Sequence, residues 1–293
     1  MRVLLLTLLM VGPASVQAVA FDEDEWRATG GEGTALLHGG VAGPLNLSSP
    51  RINPALMMNK RRYSAGGSFT RPRGKEAFAQ ITVMDSWTSQ LGVGLTWRRP
   101  VKDAEEGEWS LPERFQLILA RRSDRLGLGL AVNRSKAVVM EDGLPVQVTV
   151  TSGSLGLSGD LRSGLRWGIS WQNWQNQGYH QVDAETMRAG LGWTIREGVL
   201  LMLDGVSRAP SPGVGKNKRD NGAILSMQAD LPGQLIMLAS IGSSSENDGA
   251  AGAGLGWQGD KARFALNWSR PDLSRAETVT TLSLNLILRE EKR

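Results

Sequence analysis

Few residues in this 293-residue chain have the chemistry to catalyse a reaction. There are two histidines, His38 and His180, and no cysteine. The missing thiols exclude a disulfide framework and thiolate catalysis. His180 has Tyr179 and Asp183 near it but lies in a stretch without strand periodicity, and no G-x-S-x-G motif supplies a nucleophile, so it reads as a surface residue. Glu105, Glu106 and Glu108 gather carboxylates, yet their spacing departs from a calcium-binding loop and fits a solvated loop. No enzyme activity, metal or cofactor is expected. Apolar recognition remains. Leu56, Met57 and Met58, with Phe78 and Met84, are the candidate ligand-binding residues, because unbranched, polarizable methionine adapts to ligands of varied shape. Packing against one another is their simpler use.

The elements that would carry these side chains are strands. In the segment AGAGLGW-QGDK-ARFALNWSRP (251–271), alternation puts Ala251, Ala253, Leu255 and Trp257 on one face and Gly252, Gly254 and Gly256 on the other. Gly259-Asp260 suits a hairpin turn, after which Ala262, Phe264, Leu266 and Trp268 return on the apolar face. Tryptophan at both ends of an apolar face marks a hairpin that meets two polar boundaries, as in a lipid-facing barrel. Alternation alone would also fit a secreted soluble β-protein.

The same pattern predicts about fourteen strands, at 62–69, 76–86, 90–98, 113–121, 126–132, 145–160, 164–172, 186–195, 199–207, 222–230, 234–242, 250–258, 262–269 and 277–288. The links between them alternate short and long, which places both ends of the barrel segment on the short-turn side. Ser152-Gly153-Ser154 leaves open a turn inside 145–160 that would make the count odd. Trp87, Trp193 and Trp257 fall at the short-turn rim and Trp97, Trp171 and Trp268 at the long-loop rim, two girdles that favour the membrane. The fold class is therefore all-β, a transmembrane antiparallel β-barrel. Its inward face is expected to be rich in glycine (Gly92, Gly94, Gly127, Gly129, Gly190, Gly192) and poor in charge, with room for an insert.

Residues 1–20 read as a signal peptide: Arg2, an apolar run of about nine residues, then small residues up to Ala18 and Ala20. That run is too short to span a bilayer core, which needs roughly 20 apolar residues. Residues 21–60 show no strand alternation but hold Leu36, Leu37, Leu56, Met57 and Met58, too apolar for a free tail, and form the candidate insert; residues 61–293 form the barrel. The net charge of +4 is scattered in short basic clusters. Nucleic acid is not an expected partner, whereas outer-membrane lipid phosphates would meet basic residues at the rim.

Gly39-Gly40-Val41-Ala42 followed by Asn53-Pro54-Ala55 resembles the FadL-like outer-membrane proteins, and barrels of the related PorV type look similar at this motif. The resemblance implies a fourteen-stranded barrel in the bacterial outer membrane, with a hatch that includes Asn53, Pro54 and Ala55. It implies passage or binding of hydrophobic small molecules such as long-chain fatty acids; the alternative is a barrel that serves as an assembly or secretion-system partner. It also implies a lateral opening at the third strand, where Gly92 and Gly94 face inward and glycine lowers the cost of bending.

Overall fold

The period-two pattern closes on itself. The computed structural model describes residues 36–37, 40–43, 49–73, 77–101, 113–141, 144–162, 164–174, 184–209, 219–245, 249–270, 273 and 278–290. Fourteen antiparallel strands form a closed barrel in which each pairs with its sequence neighbours and the last with the first. They are β1 (Arg62–Pro72), β2 (Phe78–Asp85), β3 (Leu91–Pro100), β4 (Glu113–Ser123), β5 (Leu126–Glu141), β6 (Leu144–Arg162), β7 (Leu165–Trp174), β8 (Thr186–Arg196), β9 (Val199–Arg208), β10 (Asp220–Leu231), β11 (Leu235–Ser244), β12 (Ala250–Gln258), β13 (Ala262–Arg270) and β14 (Val279–Glu290). The strand count is even, and β1 starts and β14 ends at the short-turn rim.

Two expectations about β5 and β6 are corrected. Residues 133–144 are not a long loop, because β5 runs on to Glu141 and pairs with β6 without a break from Leu126↔Gly159 to Glu141↔Leu144. The stretch 145–151 is rich in Val and Thr, which favour strands, and its pairing with 134–140, which includes Val138 and Val139, continues the ladder. At ~3.3 Å per residue this hairpin is far longer than the roughly 9–11 residues a tilted membrane strand needs, so it projects beyond the long-loop rim. Ser152-Gly153-Ser154 is also not a turn. It is a bulge, where the β6–β7 register shifts between Gly153 and Leu155, and a β-carbon on Gly153 would lie 2.6 Å from the Trp174 indole.

Which face is apolar decides between membrane and water. Leu95, Leu117, Leu128, Leu130, Leu203, Leu255, Leu266 and Leu284 all point outward and are exposed, whereas the inward face is buried. A soluble barrel does the reverse, filling its interior with the apolar side chains. Trp97, Trp171, Trp193, Trp257 and Trp268 are exposed on the same outer surface, towards its two rims. Each exposed leucine would be a liability in water and costs nothing against acyl chains.

The inward face departs from the expectation of few charges. Strand parity turns Arg62, Arg98, Arg188, Arg208 and Arg263 inward, together with Asp204 and Asp220, and all are buried. Serine, threonine, asparagine and glutamine fill much of the rest, including Ser64, Thr70, Gln80, Thr96, Gln116, Asn133, Asn267 and Thr281. The cause is the bilayer: an arginine on the lipid face costs ~2–4 kcal/mol at the midplane, so charged side chains in these strands turn to the lumen.

Candidate functional site: the inner segment and the wall it meets

The described parts of residues 36–60 lie inside the barrel. Leu36, Leu37, Val41, Ala42, Ile52, Ala55, Leu56 and Met57 are buried to 4% exposure or less. Residues Ser49–Ile52 form one helical turn, α1, and Pro54–Met58 form a 3-10 turn. The second turn starts where it does because Asn53 is extended and its side-chain oxygen accepts from the Ala55 amide at 3.1 Å, while Pro54 occupies the first helical position, where no amide hydrogen is needed.

Asn53 binds three ways at once. Besides capping that turn, its Nδ2 donates to the carbonyl oxygens of Val41 and Leu157, 2.9 Å each, joining two stretches of the inner segment to each other and to β6. The sequence assigned Asn53, Pro54 and Ala55 together; the structure shows them seated on β5 and β6. A β-carbon on Gly156 would lie 2.0 Å from Asn53 Oδ1, and one on Gly129 would lie 2.3 Å from the Ala55 nitrogen. Real atoms do not approach so closely, so both positions admit only glycine while the segment stays seated.

Further anchors escaped the sequence analysis. Asp204 on β9 is buried, and its carboxylate accepts from the amides of Gly40 at 2.5 Å and Val41 at 3.0 Å. Two backbone N–H groups aimed at one carboxylate form a charge-assisted clamp. Gln172 on β7 donates from Nε2 to the carbonyls of Arg51 and Ile52, the latter at 2.6 Å. Arg51 donates to Gln80 on β2 at 2.6 Å, and Arg122 on β4 to the Asn59 side chain at 2.6 Å. The signal for Asp204 was present: it is the one acidic residue in the strand VLLMLDGVSR, at an inward position. Its partner was not legible, because both of its bonds span more than 160 residues of sequence.

On the opposite wall the contacts change character. Met57 and Met58 pack with Met84 on β2, Ile118 and Ala120 on β4 and Ala131 on β5 in one apolar cluster. Gly92 and Gly94 make space for them. A β-carbon on Gly92 would lie 2.6 Å from the Met58 sulfur, and one on Gly94 would lie 3.0 Å from the Met57 sulfur. Of the five candidate ligand residues, the structure thus unites Met57, Met58 and Met84. Leu56 is fully buried but belongs to no such cluster with them, and Phe78 is elsewhere: six residues along β2 from Met84, ~20 Å at strand rise, beneath the Arg98 guanidinium at 5.4 Å from its ring centroid. The β3–β4 ladder runs through Gly92 and Gly94 without a register shift, whereas the β2–β3 ladder includes Gly94, opposite Met84, and ends at Asp85↔Val93, one residue before Gly92. Other apolar patches meet the segment's start: Leu36 against Leu200, Met202, Ile236 and Leu238, and Leu37 against Val206, Ile224 and Ala250.

His38, His180, Glu105, Glu106, Glu108 and residues 1–20 lie outside the described residues.

No family model and no curated protein matches the sequence. Solved structures match in shape. The CymD monoaromatic hydrocarbon channel superposes with a TM-score of 0.64 at 11% identity, over 89% of this chain and 98% of its own. The toluene transporter TbuX of Ralstonia pickettii gives 0.61 at 10% identity, over 89% and 100%. The toluene transporter TodX of P. putida gives 0.59 at 9% identity, over 88% and 97%. The chain has the FadL-like barrel fold. In this FadL-like barrel the segment bearing Asn53-Pro54-Ala55 is inside, and its described residues touch inward positions on strands from β2 round to β12.

Proposed function

We propose that the chain is a bacterial outer-membrane channel for hydrophobic small molecules and that residues 21–60 act as its hatch. One observation carries this above the others: a polar, arginine-bearing lumen is obstructed by a segment whose methionines meet the wall through soft apolar contact alone. An adaptable Met57–Met58–Met84 patch suits a carrier of apolar molecules, which needs a surface that reshapes around them. The fold shared with channels for toluene and other monoaromatic compounds supports the same substrate class. Monoaromatics and long-chain fatty acids are both within it, and the chain acts as a conduit, not as an enzyme.

An apolar molecule gains nothing from crossing a charged, wet lumen. Sideways release into lipid beside Gly92 and Gly94 is the route we favour, with Met57 and Met58 withdrawing first. The projecting β5–β6 hairpin is the one feature that speaks for the alternative, an assembly or secretion-system partner.

Uptake of labelled toluene and labelled oleate by cells with and without the gene separates the two. A fall in uptake of at least one, restored by the wild-type gene, is the expected result. Unchanged uptake of both, with the barrel present in the outer-membrane fraction, would assign the partner role.

A further inference from the structure

A groove of about 560 Å³ opens on the outer surface of the barrel at the β1–β14 seam, lined by Phe69, Arg71, Arg73, Thr278, Thr280 and Leu282. It is separate from the lumen. Arg71 stands opposite Thr280 on β14, and Thr280 stands opposite Trp268 on β13, so the groove lies at the level of an outward tryptophan near the long-loop rim. The ladder continues above that level, where the Arg73 amide donates to the Thr278 carbonyl at 2.8 Å. Phe69 and Leu282, paired directly across the seam, lie one step deeper.

Depth and chemistry vary together. The apolar pair is on the acyl side, and two guanidiniums with two threonine hydroxyls are on the headgroup side. Arg71 and Arg73 are exposed, and among the described residues neither forms an ion pair with a carboxylate. The same step occurs on β3, where Arg99 is the next outward position after Trp97.

We propose that this groove holds the phosphorylated headgroup of an outer-leaflet lipid, with Arg71 and Arg73 on the phosphate, Thr278 and Thr280 donating hydroxyl hydrogen bonds, and an acyl chain over Phe69 and Leu282. Guanidinium binds phosphate through paired N–H donors, which a solvated lysine at the same rim does less well. The proposal rests on the outer-membrane placement given above and is independent of transport.

The test is retention of diphosphorylated lipid A by the purified full-length barrel in detergent, read by native mass spectrometry. Dephosphorylated lipid A of the same acyl composition and inorganic phosphate serve as comparison probes. The double variant Arg71→Gln/Arg73→Gln should bind the diphosphorylated lipid about 30-fold more weakly, the combined worth of two basic residues at a membrane surface, and should lose most of its preference over the dephosphorylated form. Arg99→Gln should bind as the wild type does, and heat-modifiable gel migration confirms that all variants are folded. Unchanged binding in the double variant overturns the site, an equal loss in Arg99→Gln reduces it to a diffuse basic rim, and full displacement by millimolar inorganic phosphate removes the lipid from it. Recovery of the wild type in the soluble fraction without detergent would instead overturn the membrane placement itself.

Discussion

The inner segment has two sides, and they are held differently. Toward β6, β7 and β9 it is pinned by hydrogen bonds: Asn53 to the Leu157 carbonyl, Gln172 to the Arg51 and Ile52 carbonyls, and Asp204 to the Gly40 and Val41 amides. Toward β2, β3 and β4 Met57 and Met58 contribute thioether and methyl contacts with Met84, Ile118 and Ala120, and the polar contacts there are made by their neighbours, Arg51 with Gln80 and Asn59 with Arg122. A buried hydrogen bond contributes about 0.5–1.5 kcal/mol between neutral groups and about 1.5–3 kcal/mol to a charged group such as Asp204, and is lost abruptly with geometry, whereas apolar burial of a side chain contributes about 1.5–3 kcal/mol but tolerates sliding. The methionine contacts are thus comparable in strength with the hydrogen bonds, and softer. A segment held in this way yields first on the methionine side, with the Asp204 and Asn53 contacts acting as the hinge.

The sharpest way to break that comparison is to remove the clamp. Asp204→Ala takes away the acceptor of two buried amides, and each amide left unpaired costs about 1–3 kcal/mol. We expect the segment to be destabilised by about 3 kcal/mol or more while the closed barrel persists. Limited proteolysis in detergent should then cut within residues 49–58 of the variant and not of the wild type, with heat-modifiable migration unchanged. Resistance equal to the wild type would mean that Asp204 does not hold the segment.

A somewhat smaller effect is expected from closing the space the pinned side requires. Gly156→Ala would place a methyl group 2.0 Å from Asn53 Oδ1, and Gly129→Ala would place one 2.3 Å from the Ala55 nitrogen. Relief requires the segment's backbone to move, and overpacking of this kind costs ~1–3 kcal/mol. Gly92→Ala meets the Met58 sulfur at 2.6 Å and the Met57 methyl at 3.1 Å, both on flexible side chains that can rotate away, so its cost should stay within about 1 kcal/mol. Denaturant unfolding that ranks Gly92→Ala as the most damaging of the three would invert the assignment of stiff and soft sides.

Much of this was legible in the sequence because it is local. Alternation at Ala253, Leu255 and Trp257 fixes which face of β12 meets lipid, and repetition of that pattern yields all fourteen strands, most ends falling within two residues of the observed ones. The exception is instructive. Residues 133–141 contain Asn133, Arg134 and Glu141, residues that normally mark loops, but pairing with 144–152 overrides those preferences because each strand satisfies the other's backbone. The inward glycines were visible as well, and so was the apolar character of Leu56, Met57 and Met58. What could not be read was which glycine faces backbone and which faces a side chain, since that depends on where a strandless segment comes to rest. The inward arginines were misjudged for a related reason: parity counted from an apolar face is reliable, but the polar face was read from its glycines and not from Arg62, Arg98, Arg188 and Arg263.

The gentlest test distinguishes the two sides by function instead of stability. Valine at Gly92 and Gly94 would occupy the space that Met57 and Met58 now fill and stiffen β3 at the position where we place sideways release. Valine suits a strand, and the nearest atoms there belong to the flexible Met57 and Met58 side chains, with Ile118 and Ser86 at ordinary contact distance, so the barrel should fold and reach the membrane at wild-type levels. Uptake of labelled toluene or oleate should nevertheless fall, by about tenfold if the added side chains raise the barrier by roughly 1.4 kcal/mol. The paired control is valine at Gly127 and Gly129, where the obstruction is the Ala55 and Pro54 backbone and the expected fault is an unseated segment, seen as protease sensitivity with the passage left open. Equal loss of uptake from both pairs, or loss from neither, would reject a gate at β3 and leave Gly92 and Gly94 as packing space for two methionines.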